Sequence, residues 1–356
     1  MHPESPSDRA PSSELPRHLN EPSAGDRGSI EPSASTDRSP AVASQAVHRL
    51  VSSVEPEELQ PIIARCLAGE LSPHVAVMQM LCETESAAVV RLAVDAVTKE
   101  ADRASRATDA IIRDRVDALT RLVVEHEDGV DRIADMLRSG VDTSASAASV
   151  EEGIAHCERL FDWSVRQSEE ASVALYSLGS PEVLERATAE IVDLLDEWGV
   201  LGRERAVMQI GCGIGRFEAA LAPRVREAHG IDVSSEMVNA ARRRTAELVN
   251  VYIEKCSGRD LSRFDAGQFD LVYAIDTFPY LVQSGMPLVE RHFEEARRVL
   301  TQGGDFVILN FSYRDDLAAD RSDVRRLAGA HGFELIVDGS QPLALWNGVA
   351  WRMRKT

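Results

Sequence analysis

The chain has 356 residues and a formal net charge of −19, from 58 acidic against 39 basic side chains. That sign repels polyanions, whose binding draws most of its affinity from Lys and Arg on phosphates, so no nucleic-acid substrate is expected. The five cysteines, Cys66, Cys82, Cys157, Cys212 and Cys256, are scattered without a Cys-x-x-Cys pair, a usage that fits a reducing cytoplasm and offers no metal-ligand spacing.

Residues 1 to 44 are rich in Pro, Ser and charge and cannot bury enough apolar surface to offset ordering, so they are expected to form a disordered tail without a signal-peptide core. Residues 45 to 145 have helical apolar spacing, for instance Ile111, Val116, Leu119 and Leu122, and form an expected all-α N-terminal domain in which no residue pattern points to chemistry. Ser72-Pro73 is a helix entrance, with Ser as cap and Pro in the first turn. Residues 146 to 200 continue as a helical cap or linker, with Val150, Ile154, Cys157 and Phe161 on one face and a second helix opened by Ser180-Pro181. No later run is long and apolar enough for a membrane span.

From residue 201 to 356 the pattern changes to strands alternating with helices, at 206–210, 228–232, 249–253, 269–274, 305–311, 333–338 and 349–354. Such alternation predicts an α/β, doubly wound, Rossmann-like sheet, with ligands gathered at the carboxyl ends of the strands. The first strand runs into Gly211-Cys212-Gly213-Ile214-Gly215, a tight turn where backbone can approach a ligand without an intervening Cβ. A dinucleotide fingerprint needs Gly-x-Gly-x-x-Gly, and its last position here is Arg216, so NAD is disfavoured. Asp232 closes the second strand, where a carboxylate can accept hydrogen bonds from a ribose diol.

The glycine loop, Asp232, Phe269-Asp270-Leu271-Val272 and Ala296 to Gly304 together give the segment from about Ser172 to Thr356 its similarity to known proteins. It resembles the class I S-adenosylmethionine-dependent methyltransferases, in particular their small-molecule branch. The resemblance implies seven strands with the last antiparallel, and S-adenosyl-L-methionine as cofactor. It implies that Gly211, Cys212, Gly213 and Gly215 lie along the cofactor's methionine part and that Asp232 holds its ribose. An acidic residue meeting the adenine amino group aligns with Ser257, and Asp260 in Ser257-Gly258-Arg259-Asp260 is the alternative. Where most relatives carry Asp or Glu before the loop, this chain has Gln209, whose amide oxygen still accepts a hydrogen bond but without charge assistance. The segment ahead of the first strand often covers the cofactor in relatives, which makes Tyr176 a candidate lid residue, or else a packed core tyrosine.

Methyl transfer from a sulfonium needs an in-line nucleophile, a water-poor pocket and sometimes a base. The candidates are Asp276 and Tyr280, which follow the fourth strand, and His292 on the next helix, a general base or simply a helix-edge histidine. Ala274-Ile275-Asp276-Thr277-Phe278-Pro279-Tyr280 departs from the Asp-Pro-Pro-Tyr signature of amino-group methyltransferases by one inserted residue and by Phe278. The leading expectation is therefore methyl transfer to a small organic acceptor. The alternatives are a helical interaction protein with a regulatory or non-catalytic cofactor domain, and a protein methyltransferase. The helical N-terminal domain could also mediate homo-oligomerisation or hold a protein partner.

Overall fold

Helix entrances follow the local chemistry. Ser72 Oγ accepts from Val75 N at 3.2 Å ahead of Pro73, and Ser180 Oγ accepts from Val183 N at 3.3 Å ahead of Pro181, each satisfying one orphan amide of a first turn. The computed structural model describes residues 40–104, 109–139 and 148–356, so residues 1–39 of the expected disordered tail fall outside it, whereas residues 40–44 belong to a first helix. Six helices come first: α1 (Pro40–Val51), α2 (Leu59–Ala68), α3 (Pro73–Thr84), α4 (Ala87–Arg103), α5 (Ala110–Glu125) and α6 (Glu127–Arg138). Within α5 the buried face differs by one residue from the expected spacing. Ile111 is 61% exposed, and its neighbour Ile112 joins Val116, Leu119 and Leu122 in the core. Then come α7 (Val150–Gln167), α8 (Glu169–Val173), a 3₁₀ turn (Leu175–Ser177) and α9 (Pro181–Glu197).

Seven strands follow, β1 (Ala206–Ile210), β2 (Glu227–Asp232), β3 (Val251–Lys255), β4 (Phe269–Ile275), β5 (Leu300–Leu309), β6 (Phe333–Ser340) and β7 (Ala350–Lys355). They form one sheet in the order β3-β2-β1-β4-β5-β7-β6, parallel except for β7, which runs antiparallel between β5 and β6. Five helices connect them: α10 (Arg216–Leu221), α11 (Ser235–Arg244), α12 (Phe278–Ser284), α13 (Met286–Val299) and α14 (Leu317–Ala330). Strand β5 begins earlier than expected because Leu300 already pairs with Phe269 before a register shift over the Gly303-Gly304 turn. Strand β3 begins at Val251 rather than at 249.

Successive residues of β1 serve opposite faces, as strand pleat requires. Val207 faces a core that runs from Val47 through α9 to Ala350, whereas Ala206, Met208 and Ile210 face the layer of α12, α13 and α14. The helices ahead of the sheet thus share a core with one of its faces. Sequence order reverses between β1 and β4, the switch point at which such sheets open a crevice. The basic run Arg242-Arg243-Arg244 on α11 forms no free cationic patch: Arg243 and Arg244 pair with Glu169 and Arg242 donates to Ile253 O. Among the described residues no helix is long and apolar enough to cross a membrane.

Candidate active site

The loop leaving β1 is held in a conformation that glycine alone adopts cheaply. Gly211, Gly213 and Gly215 have φ of +74°, +52° and +72°. A Cβ on Gly213 would lie 2.7 Å from Val173 Cγ1 of α8, and one on Gly211 would collide with Thr277 Oγ1. Thr277 Oγ1 in turn donates to Ile210 O at 2.9 Å, tying the end of β4 to that of β1. Cys212 is buried, and burial pushes its thiol well above the ordinary range, which removes it as a nucleophile.

Asp232 faces this loop from the end of β2. Its Oδ2 accepts from Gly213 N and its Oδ1 from Ser234 N, both at 2.9 Å. Burial pushes the carboxyl up to about 6 against the pull of those amides. Each oxygen keeps a second lone pair for a ligand hydroxyl. The cap helix α7 is fixed at the same rim, since Asp162 Oδ1 accepts from Ser234 Oγ at 2.6 Å and from Glu236 N at 3.0 Å. Gln209 donates through Nε2 to Gly211 O at 3.3 Å, while its Oε1 is buried without a partner.

On the other side of the switch point Asp276 and Asn310 end β4 and β5. Both have left-handed backbones, φ +57° and +69°, and Asn310 Nδ2 donates to Asp276 Oδ1 at 2.7 Å. Two non-glycine residues held in that region mark a strained, over-determined spot. Burial raises the Asp276 carboxyl, opposed by hydrogen bonds from Asn310 and Tyr313 and by the charge of Arg216. The Tyr280 ring stands edge-on to Tyr313, centroids 5.7 Å apart, and to Phe161 of α7 at 5.0 Å.

Tyr176 occupies the 3₁₀ turn, buried and stacked on Trp346 with centroids 6.1 Å apart. Its hydroxyl is buried beside the Arg216 guanidinium, which bonds to its oxygen, while its own proton meets no acceptor. Trp346 lies between β6 and β7 in a connection clamped from several sides. Ser72 Oγ donates to Leu345 O at 2.8 Å, Asn347 Nδ2 donates to Glu70 O at 2.8 Å, and Glu190 accepts from the amides of Ala344 and Leu345.

These groups surround one cavity of 1080 Å³, larger than the ~300–1,000 Å³ usual for a single small ligand. Gln209, Gly211, Cys212, Gly213, Asp232, Gly258, Asp260, Asp276, Tyr280, His292 and Tyr176 all line it. Gly215 and Ser257 do not: Gly215 packs against Ala241, and Ser257 is exposed, its Oγ accepting from Arg259 N at 3.2 Å. Asp260, the alternative at that position, is held below the ordinary range by hydrogen bonds from Ser262, both made to its Oδ1. His292 is 2% exposed with Nδ1 2.9 Å from Leu288 O, and burial lowers its imidazole.

The sequence reading missed Arg216, Asn310, Tyr313 and Trp346, which also line the cavity, and the helical wall supplied by Val75, Met78, Gln79 and Met136. Arg216 carried one local signal, a charged residue directly after the glycine loop. The others have no motif to announce them.

The residues present fit a nucleoside with a charged amino-acid tail: a positive-φ glycine turn on the cavity wall, a buried carboxylate for a diol, and an unpartnered amide oxygen for an ammonium. Residues 207–304 match the family described as a methyltransferase domain. Over 101 residues the chain is 34% identical to chondramide synthase of Chondromyces crocatus, a match covering 28% of this chain and 2% of that protein. Among solved structures it is similar to geranyl diphosphate C-methyltransferase from Streptomyces coelicolor, at 16% identity and a TM-score of 0.44, over 60% of this chain and 100% of that one. It is also similar to phosphoethanolamine N-methyltransferase 1 of Haemonchus contortus, at 18% identity and TM-score 0.44, over 58% and 49% of the two chains. A third likeness is to the YcgJ protein from Bacillus subtilis, at 21% identity and TM-score 0.35, over 42% and 69%. The matched segment 207–304 holds both the glycine turn after β1 and the acid that ends β2, so this part of the chain is similar to a methyltransferase domain.

Proposed function

We propose that the protein transfers the methyl group of S-adenosylmethionine to a small organic acceptor bound in the same cavity. The observation that carries this reading is the single cavity of 1080 Å³ joining the glycine loop and Asp232 to Asp276, Tyr280 and Tyr313, with room for two ligands side by side. When bound, the cofactor supplies an electrophilic methyl on a positively charged sulfur. Asp232 would hold the ribose hydroxyls, Gln209 Oε1 would accept from the ammonium, and Asp260 would stand at the adenine end. Phe161, Tyr280 and Trp346 would exclude water and orient the acceptor, which is where most of the rate enhancement arises in such a reaction. Asp276, whose affinity for protons is raised by burial, would take the proton that the acceptor's oxygen or nitrogen gives up on methylation. His292 is the second candidate base.

Lining residues from α3 and α6 support a role for the helical half as the wall of the acceptor pocket rather than as a separate docking module. Five free cysteines support a cytoplasmic location within the same proposal. The test is release of S-adenosylhomocysteine from the full chain against a panel of phenols, amines and carboxylic acids, alongside Asp276→Asn. The reading predicts acceptor-dependent release with at least one class, lowered about 100-fold by the substitution. Absence of release across the panel, with bound cofactor demonstrated, would remove the enzyme reading.

A further inference from the structure

Resting on that reading, the structure assigns to Arg216 and Tyr176 a role that neither the fold nor the family match gives them. We propose that they form a carboxylate-binding pair for the amino-acid end of the cofactor.

Arg216 is 8% exposed and lines the cavity. Its Nη1 donates to Thr188 Oγ1 at 3.0 Å, its guanidinium lies 4.3 Å from the centroid of the Phe217 ring, and among the described residues it makes no ion pair. A buried guanidinium has five donors and a large desolvation cost, which the hydroxyls of Thr188 and Tyr176 and one ring face do not offset. Beside it stands the buried Tyr176 hydroxyl, whose oxygen takes a hydrogen bond from Arg216 and whose own proton, held in place by burial, meets no acceptor. Two adjacent donor groups with unmet capacity next to the glycine loop call for an anion, and a planar fork suits a carboxylate.

The cofactor brings such a group to this place. Its amino-acid tail is a zwitterion, one ammonium and one carboxylate on the same carbon. In this chain the residue ahead of the loop is the neutral Gln209, so the ammonium meets an amide oxygen without charge assistance. Arg216 is the cation that lines the cavity directly after this loop. Charge-assisted anchoring is thereby moved from the ammonium to the carboxylate, and Arg216 makes up for what Gln209 lacks.

Calorimetric titration of the full chain with two nucleosides tests this. S-adenosylhomocysteine carries the amino-acid tail, and 5′-methylthioadenosine lacks it. Arg216→Met is expected to weaken S-adenosylhomocysteine binding about 10- to 100-fold and to change methylthioadenosine binding less than about threefold. Arg216→Lys, which keeps the charge but loses the fork, falls between, and Tyr176→Phe weakens only the tailed ligand, by about three- to tenfold. Circular dichroism and melting curves identify any variant that fails to fold, in which case Tyr176→Phe carries the test alone. Equal loss for both ligands, or loss for neither, overturns the proposal. Failure of the unmodified chain to bind either nucleoside overturns the underlying cofactor reading instead, so the two failures are distinguishable.

Discussion

Burial of a polar atom is tolerable only when something satisfies it, and the base of the glycine loop departs from that rule more than any other part of the sheet. Both carboxyl oxygens of Glu218 on α10, the Tyr273 hydroxyl on β4 and Gln209 Oε1 are buried without partners. Burial pushes the Glu218 carboxyl from its ordinary 4.5 up to about 8. The native state therefore holds a proton that the unfolded chain has released across that window. Stability contributed by this group is full below about 4.5 and is lost as the pH rises towards 8. Glu218→Gln, which cannot ionise, should match the parent chain near pH 4 and exceed it above pH 8 by an amount on the order of a few kcal/mol. Melting temperatures of both proteins across that range check this, and parallel profiles would show that Glu218 is already ionised in the fold. At this scale the glycine loop and Asp232 were legible in the sequence because their roles are written into consecutive residues and one strand end. Asn310, Tyr313 and Trp346 were not, because each lies far in the chain from that loop and meets it only in the fold, and Arg216 showed only its place directly after the loop.

Elements were legible to the extent that periodicity and caps define them. All seven strands stand where alternation placed them to within a few residues, and the exceptions have local causes, such as the early pairing of Leu300 with Phe269. The shift from Ile111 to Ile112 shows the limit of a spacing argument, since two adjacent apolar residues leave the buried one undecided. The connection between β6 and β7 was opaque, because nothing in Gln341 to Gly348 foretells that Glu190, Ser72 and Glu70 will grip it. That grip sets Trp346 against Tyr176 at the cavity. Glu190→Ala removes the acceptor of two amides, so the connection should loosen and the acceptor's KM rise about tenfold, with S-adenosylhomocysteine affinity falling much less. Steady-state kinetics and a binding titration separate the two quantities, and an equal loss in both would refute the assignment of this connection to the acceptor side.

For the molecule as a whole, the helices ahead of the sheet acquire their meaning only in three dimensions. Their sequence shows amphipathic spacing and no chemistry, yet Val75, Met78 and Met136 form a wall of the cavity whose floor is the sheet. One continuous core runs from Val47 on α1 to Ala350 on β7, so this wall is packed against the sheet rather than tethered to it. An acceptor pocket made in this way takes its shape from residues that no cofactor motif covers. The acceptor is for that reason the least legible property of the chain, whereas the cofactor fold is the most legible. The central claim, that the turn after β1 and the acid of β2 seat S-adenosylmethionine inside this cavity, is tested most directly by a crystal structure of the full chain soaked with S-adenosylhomocysteine. The account predicts ribose hydroxyls on Asp232, the amino-acid tail over Gly211 and Gly213, and the sulfur turned towards Asp276 and Tyr280. An empty cradle at saturating ligand, or a nucleoside bound away from Asp232, would contradict it.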